Sequence, residues 1–503
     1  MKFIDNLLDR ITMYRLVVYY LLFLLFVASV FGFFGILPYS PIAVVLTTSV
    51  FVAICWITNK IFAWAFNAPT NVESVYISAL ILALIISPMK SFADIPLIFW
   101  ASVLTMASKY ILAIDKKHIF NPVAIAVTIT AFAFNGSASW WIGTVSMLPF
   151  ALLGFLIVRK IRRYDLIFYF IIAAVVTMLG FCLVQKANLL TTLQQIIASS
   201  PVFFFASIML TEPLTTPPTK TLQSIYGVLV GVLFAPQFHL GSFYTTPEQA
   251  LVIGNVFSYI VSPKYKVLTT IQQKIQHGAD MIDFIFPLQK KLAFTPGQYM
   301  EWTLPHKNSD SRGNRRYFTL ASSPTENTLR LGIKIYPNGS SYKKAMLATQ
   351  GTPIVGAQVS GDFTLPKDPK QKLVFIAGGI GITPFRSMIK YLVDIKQSRP
   401  IILLYSNKTV DEVVYYDVFN QAQQQLGIKT VYTLTDTTKL PENWRGRVGR
   451  IDATMISQEV PDFMQRTFYL SGPHAMVRAY QETLKNMGVP EKQVKIDFFP
   501  GFV

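Results

Sequence analysis

The first 262 residues are an almost unbroken series of apolar stretches, each roughly 15 to 22 residues long, with short polar loops between them. That pattern leaves few folds open, because such stretches either cross a bilayer as helices or pack inside an unusually apolar bundle. The spacing predicts ten spans, starting near Tyr14, Pro41, Val72, Leu97, Ile119, Trp140, Leu166, Ser200, Leu222 and Ala250. Basic residues collect in cytoplasmic loops and so supply an orientation. With the N-terminus inside, the inner loops hold thirteen: Lys2, Arg10, Arg15, Lys60, Lys116, Lys117, Arg159, Lys160, Arg162, Arg163, Lys220, Lys264 and Lys266. The outer loops hold Lys90 and Lys186. The expectation is a multi-pass protein of a bacterial-type cytoplasmic membrane, with both termini and everything after residue 262 in the cytoplasm.

Of the 503 residues 52% are hydrophobic and 14% charged, and a cut near Ser262 divides the net charge into +6 before it and +12 after it. The second part, about 240 residues, has the composition of a water-soluble domain or pair of domains with cores of their own. The basic excess shows no stripe with interleaved aromatics, so no nucleic-acid partner is expected. Cys55 and Cys182 both lie in apolar runs and provide neither a disulfide framework nor the four thiolates of an iron–sulfur cluster. Only His118 and His239, of five histidines, fall in the first part, too few for stacked bis-histidine haems. No metal site is expected.

Within the apolar part stand Glu73, Lys109, Asn121, Glu212 and the run Thr211–Thr219. Such groups either face a bundle interior, cavity or ligand, or mark helix ends in the headgroup layer. Lys117-His-Ile-Phe-Asn-Pro122, Leu210-Thr-Glu-Pro-Leu-Thr-Thr-Pro-Pro-Thr219 and Tyr226-Gly-Val-Leu-Val-Gly231 resemble signatures of the ten-span membrane subunit shared by sodium-pumping NADH:quinone reductase (its B subunit) and the Rnf complex (its D subunit). The resemblance covers roughly residues 1 to 262 and implies a flavin-binding, electron-transferring domain with companion membrane subunits. That family carries FMN covalently on the threonine of a Ser-Gly-Ala-Thr type loop. Here the corresponding stretch is Asn135-Gly-Ser-Ala-Ser139, and the nearest threonine is Thr144. The resemblance therefore leaves a non-covalent FMN or riboflavin as the membrane flavin.

After Ser262 the pattern changes to short alternating segments: 264–271, 281–286, 299–303 and 329–335. Period-two alternation over several short strands predicts a small β-barrel over residues 264–368. From Lys372 strands at 373–377, 401–405, 429–434 and 467–470 alternate with helical runs, which predicts a doubly wound parallel sheet over residues 369–503. The fold class is thus an α-helical membrane bundle, then a β-barrel domain, then an α/β domain. Ala377-Gly-Gly-Ile-Gly-Ile-Thr-Pro384 follows a buried strand and opens a helix. Glycine there lets a phosphate approach backbone amides at a helix start, although tight packing alone also selects such a turn.

Four further motifs accompany it in order: Phe294-Thr-Pro-Gly-Gln-Tyr299, Arg316-Tyr-Phe-Thr319 with Ala321-Ser-Ser-Pro324 behind it, Gly339-Ser-Ser-Tyr342, and Ser471-Gly-Pro-His-Ala-Met476. An arginine can pair with a pyrophosphate, an aromatic ring can lie beside an isoalloxazine, and helix-start amides can hold phosphate. Together the five resemble the ferredoxin–NADP reductase family over about residues 264 to 503. The resemblance implies that Arg316, Tyr317, Phe318, Thr319, Ser322, Gly339, Ser340 and Ser341 hold FAD. It places Gly378, Gly379, Gly381, Thr383, Pro384, Ser406, Gly472, Pro473 and Met476 around the pyridine nucleotide. Thr319 and Ser471 are the catalytic candidates, Thr319 toward flavin N5 and Ser471 where the family has cysteine beside nicotinamide C4. One of Phe498, Phe499 and Phe502 is expected to cover the flavin, with Phe499 the candidate; each also reads as a core aromatic. Lys408 reads as a surface lysine, which favours NADH over NADPH as the electron donor. The implied activity is transfer of a hydride from cytoplasmic NAD(P)H to FAD and of single electrons to a quinone or an extracytoplasmic carrier. Two alternatives are a redox-regulated ion or solute transporter with Glu73, Lys109 and Glu212 as intramembrane charges, and a flavin reductase that the spans merely anchor.

Overall fold

The computed structural model of the chain describes residues 4, 8, 11–66, 72–114, 117–134, 136–241, 243–262, 266–278, 280–306, 309–310, 313–336 and 339–497, with the backbone alone at 240, 243 and 439. These fall into two compact units, one up to Lys266 and one from Val267 onward.

The first unit is helical. Its main helices are α1 (Met13–Phe33), α2 (Pro41–Ala65), α3 (Val72–Ile85), α4 (Ile95–Ile111), α5 (Pro122–Phe134), α6 (Tyr164–Val184), α7 (Leu189–Ala198), α8 (Lys220–Phe234) and α9 (Pro247–Val261). The expectation of ten spans is corrected: among the described residues three helices, α1, α2 and α6, are long and apolar enough to cross a membrane. A fourth span results if α7 and Val202–Met209, which meet at a 53° bend, count as one. Helices of 14 residues such as α3 reach only about 21 Å, short of a hydrocarbon core of about 30 Å. The apolar runs are shortened where the sequence breaks them, at Ser87-Pro88, Ser199-Ser-Pro201 and Ala235-Pro236. The run predicted from Trp140 is a chain of short turns and helices between Trp141 and Ile161.

Polar residues of this unit hold one another. Arg15 Nε meets Glu73 Oε1 at 3.1 Å, and Lys109 Nζ donates to Ser74 O and Ser78 Oγ at 3.1 and 3.0 Å. His118 Nε2 lies 3.4 Å from Glu212 Oε1. Asn121 caps α5 by accepting from Val123 N and Ala124 N, while its own N–H donates to Asn255 Oδ1 at 2.7 Å. The end of α3 is closed by tryptophans: Trp140 N donates to Ile85 O, and Trp141 Nε1 to Ala83 O and Ile86 O. Gly227 and Gly231, one helical turn apart on α8, face α6 so closely that a Cβ would stand 2.7 Å from Leu166 O and 2.5 Å from Phe170 O. Small residues at that spacing let two backbones meet in an apolar setting.

The second unit begins with short antiparallel strands: β1 (Val267–Thr269), β2 (Gln273–His277), β3 (Met281–Pro287), β4 (Tyr299–Thr303), β5 (Arg315–Thr319), β6 (Thr328–Lys334) and β7 (Ile354–Ser360), with α10 (Ser341–Ala348) between the last two. Along β6 the side chains of Leu329, Leu331 and Ile333 are buried in alternation, each burial contributing about 1.5–3 kcal/mol. These strands form two sheets, ordered β6-β3-β2 and β1-β7-β4-β5, and not the closed barrel expected. Pairing lapses at the corners: β1 has three residues, β7 bulges between Ala357 and Ser360, and β5 reaches β6 through the bond from Ala321 N to Arg330 O at 2.9 Å.

Then come β8 (Leu373–Gly378), α11 (Thr383–Asp394), β9 (Ile401–Asn407), α12 (Tyr416–Leu426), β10 (Lys429–Leu434), β11 (Arg447–Val448), β12 (Thr467–Ser471), α13 (His474–Asn486) and β13 (Val494–Ile496). The strands form one parallel sheet, ordered β11-β10-β9-β8-β12-β13. Strand β8 is buried at every position, as a sheet covered by helices on both faces requires.

Candidate functional site

The order of the parallel sheet reverses between β8 and β12, and in open α/β sheets ligands bind outside the carboxyl ends of the strands at that point. The loop after β8 sits there. Gly379 adopts φ +51°, a tight turn covers Gly379–Ile382, and α11 starts at Thr383 with Pro384 in its first turn. A Cβ on Gly381 would stand 2.4 Å from Ser471 O and 2.5 Å from Gly472 N, so the loop touches the end of β12 through the absence of a side chain. Met476, in the first turn of α13, packs into the loop: a Cβ on Gly378 would meet its Sδ at 2.2 Å, and one on Gly472 its Cε at 2.4 Å. Pro473 caps α13 beside them. Ser406 is buried at the end of β9, paired in register with Gly378.

Ser471 is buried and donates its hydroxyl to Asp497 Oδ2 at 2.9 Å. Burial pushes the Asp497 carboxyl up from 3.8 to about 7, and the bond from Ser471 offsets only part of that rise. Asp497 was not a sequence candidate; its signal was its place before the aromatic tail, where the end of β13 comes beside β12. Asn407 was also missed. It is buried at the carboxyl end of β9, and neither polar atom of its amide has a hydrogen-bond partner among the described residues. Phe498, Phe499 and Phe502 lie outside the described residues.

Of the flavin candidates, Arg316, Phe318, Gly339, Ser340 and Ser341 gather around the start of α10, whereas Tyr317 and Ser322 make their contacts elsewhere. Arg316, on β5, is buried, donates to Gly313 O at 3.2 Å and lies 5.1 Å over the ring of Tyr342. Its other terminal nitrogen is 3.5 Å from Asp310 Oδ1. Asp310 in turn accepts from Ser341 N at 3.0 Å and donates its own N–H to Ser341 Oγ at 2.9 Å. Ser340 is the N-cap of α10, accepting from Lys343 N. A carboxylate thus sits where a guanidinium and a helix-start amide converge, donors of the kind that hold an anionic group such as a phosphate. Gly339 precedes it and turns tightly, its N–H bonded to Tyr336 O. Phe318 faces Tyr342 with ring centroids 6.0 Å apart, and Thr319 is buried at the end of β5, opposite Tyr299. Tyr317 turns away from this corner and donates its hydroxyl to Glu301 at 2.8 Å. Ser322 is fully buried, its hydroxyl accepting from Arg330 N and its carbonyl from Ser387 Oγ.

Residues 375–482 match the family described as oxidoreductase NAD-binding domain. A flavohemoprotein of Burkholderia sp. (strain TH2) is 29% identical over 211 residues, 41% of this chain and 52% of that protein. A glycine betaine monooxygenase reductase subunit of Pseudomonas aeruginosa (strain UCBPP-PA14) is 26% identical over 220 residues, 42% of this chain and 59% of that protein. The chain spans between half and three fifths of the length of these curated relatives. The crystallised flavohem-like FAD/NAD-binding domain of a nitric oxide dioxygenase from Vibrio cholerae O1 biovar El Tor is 19% identical, aligning over 46% of this chain and 98% of its own with a TM-score of 0.41. The sequence matches identify an oxidoreductase NAD-binding domain at residues 375–482, within a second unit that is similar to ferredoxin–NADP reductase-like FAD/NAD(P)H oxidoreductase modules.

Proposed function

We propose that the chain is a membrane flavoprotein oxidoreductase that takes a hydride from NAD(P)H and passes single electrons into or across the membrane, to a quinone or an extracytoplasmic carrier. The observation that carries this reading is one unit holding both an anion-accepting corner, Arg316 with the start of α10, and a glycine loop seated on Ser471 at the point where the sheet order reverses. FAD, when bound, accepts electrons in pairs and returns them singly. The protein's part is geometric and electrostatic. Arg316 and the α10 amides hold the phosphates, Gly378–Pro384 cradle the dinucleotide, and Ser471 with Asp497 faces the nicotinamide. NADH is the favoured donor. We place the FAD-binding part at residues 264–368 and the nucleotide-binding part at 369–503.

The membrane reading draws on the apolar first unit and on its resemblance to the B-subunit and D-subunit family, with both termini cytoplasmic, which needs the bent pair counted as a fourth span, and a non-covalent FMN or riboflavin as relay. One relative is by name the reductase subunit of a monooxygenase, which supports delivery of electrons to an acceptor outside the module, companion subunits included. Flavin stoichiometry of the purified full-length protein in detergent, by denaturing extraction and chromatography, tests the reading. FAD with a second flavin supports a membrane relay; FAD alone reduces the first unit to a quinone-facing or anchoring role; no FAD refutes the proposal.

The Arg15–Glu73 ion pair and the approach of His118 to Glu212 favour a second reading, a redox-linked ion transporter. In proteoliposomes it requires NADH-driven ion uptake that Glu212→Gln abolishes, whereas reduction of a trapped acceptor without ion movement excludes it.

A further inference from the structure

We infer that Arg386 is a positioning residue that locks the pyridine-nucleotide loop to the flavin strand, through a contact that Gly332 makes room for; the inference rests on the NAD(P)H-to-FAD reading. Arg386 stands in the first turn of α11, two residues after Pro384, and is 4% exposed. A guanidinium so buried must be paired and hydrogen-bonded. One terminal nitrogen donates to Ala321 O at 2.7 Å and to Glu326 Oε2 at 2.8 Å, and the other to Glu326 Oε1 at 3.0 Å. Glu326 is itself oriented by Ser323 N at 2.6 Å. Burial pushes the Glu326 carboxyl up, but Arg386, together with Ser323 N and Arg330, outweighs it and holds the group below its ordinary range. Ser387 adds a bond to Ser322 O at 2.7 Å. Every one of these partners lies just behind Arg316–Thr319.

A second chain of contacts closes the circuit. The Arg386 guanidinium lies 5.2 Å over the ring of Tyr415, whose hydroxyl donates to Asp283 Oδ1 at 2.6 Å. Asp283 is buried, and its Oδ2 accepts from Arg330, whose N–H returns to Ser322 Oγ. Tyr415 pays for its place with a left-handed φ of +61°. Gly332, on β6 opposite Asp283, permits the approach: a Cβ there would stand 2.5 Å from the Tyr415 hydroxyl and 2.8 Å from Thr383 Cγ2. Thr383 belongs to the nucleotide loop. Any shift of that loop relative to Thr319 must therefore break a buried ion pair or open a packed contact. Hydride transfer is sensitive to such shifts, a misplacement of about 1 Å costing on the order of 100-fold in rate. Arg386 acts through Ala321 and Glu326 and not on the nucleotide itself.

The test uses the full-length protein in detergent, with Arg386→Met, Arg386→Lys and Gly332→Ala. Bound FAD, nucleotide affinity, the limiting rate of FAD reduction and the flavin–nicotinamide charge-transfer absorbance are measured under anaerobic conditions. Wild-type protein whose FAD neither NADH nor NADPH reduces overturns the reductase reading itself, separately from the variants. The expected result for Arg386→Met and Gly332→Ala is retained FAD, nucleotide affinity within about threefold, a weakened charge-transfer band and a limiting rate lower by about tenfold or more. Arg386→Lys restores part of the rate. A limiting rate and band within about twofold of wild type in flavin-loaded Arg386→Met overturns the inference. So does loss of FAD in parallel with rate in all three, which marks a purely structural role. If Arg386→Met does not fold, Gly332→Ala, which keeps every charge, decides.

Discussion

Replacing Gly381 by alanine tests the seat of the nicotinamide directly. The new Cβ would lie 2.4 Å from Ser471 O and 2.5 Å from both Ser471 C and Gly472 N, where ordinary contact begins at 3.4 Å. These are backbone atoms, so no side chain can swing aside, and the loop and the end of β12 must separate by about 1 Å. Gly381 does not need a left-handed φ, so the whole effect is steric. Overpacking of this size costs about 1–3 kcal/mol, which a folded unit survives. The same displacement at a hydride-transfer site is expected to lower the limiting rate on the order of 100-fold, about 2.7 kcal/mol in barrier. The assay is anaerobic stopped-flow bleaching of bound FAD at saturating NADH, with FAD content measured beside it. FAD should stay bound, because its anion corner is built on β5 and α10. A limiting rate within about threefold of wild type, in a folded and flavin-loaded variant, refutes the placement of the nicotinamide against Ser471.

Gly379→Val acts differently: nothing lies within 4 Å of its Cβ, but φ is +51°, so strain and bulk over the phosphates should weaken nucleotide binding while FAD stays, as titration of the oxidised protein would read. Asp497 sets a pH dependence. Its native value of about 7 exceeds the ordinary 3.8, so its contribution to folding is fully present below about pH 4 and lost as pH rises through about 7. Above that pH its carboxylate, beside Ser471, favours the positive charge that develops as NADH gives up hydride; the limiting rate should therefore rise through pH 7, and Asp497→Asn should flatten the profile. A flat wild-type profile counts against the assignment. Arg316→Ala should weaken FAD retention by about tenfold or more, measured by ultrafiltration of released flavin, and full occupancy would remove the residue from the site. Tyr317→Phe removes a bond to Glu301 and should lower thermal stability by about 1–2 kcal/mol without loss of FAD.

Local pattern carried a large part of this protein. Apolar runs between short loops marked the helical first unit, and turn residues with period-two and strand–helix alternation marked the second, because those signals are written within a few consecutive residues. Gly378–Pro384 and Arg316–Thr319 stood out as candidates for the same reason: a glycine turn between a strand and a helix, and an arginine at a strand end, are local chemistry. Hydropathy could not give helix length. Proline and serine breaks inside apolar runs shortened several of them, and among the described residues three long helices, or four spans with the bent pair, stand where ten spans were counted. Nor could alternation say whether seven strands close; a three-residue β1 and a bulged β7 left two sheets. Asp310 on Ser341, Asp497 on Ser471 and Arg386 on Ala321 and Glu326 join residues 26 to 65 positions apart. No spacing announces such partners. They are chosen by which strand ends and helix starts the sheets bring together, and by the requirement that a charge taken out of water meet its counterpart there.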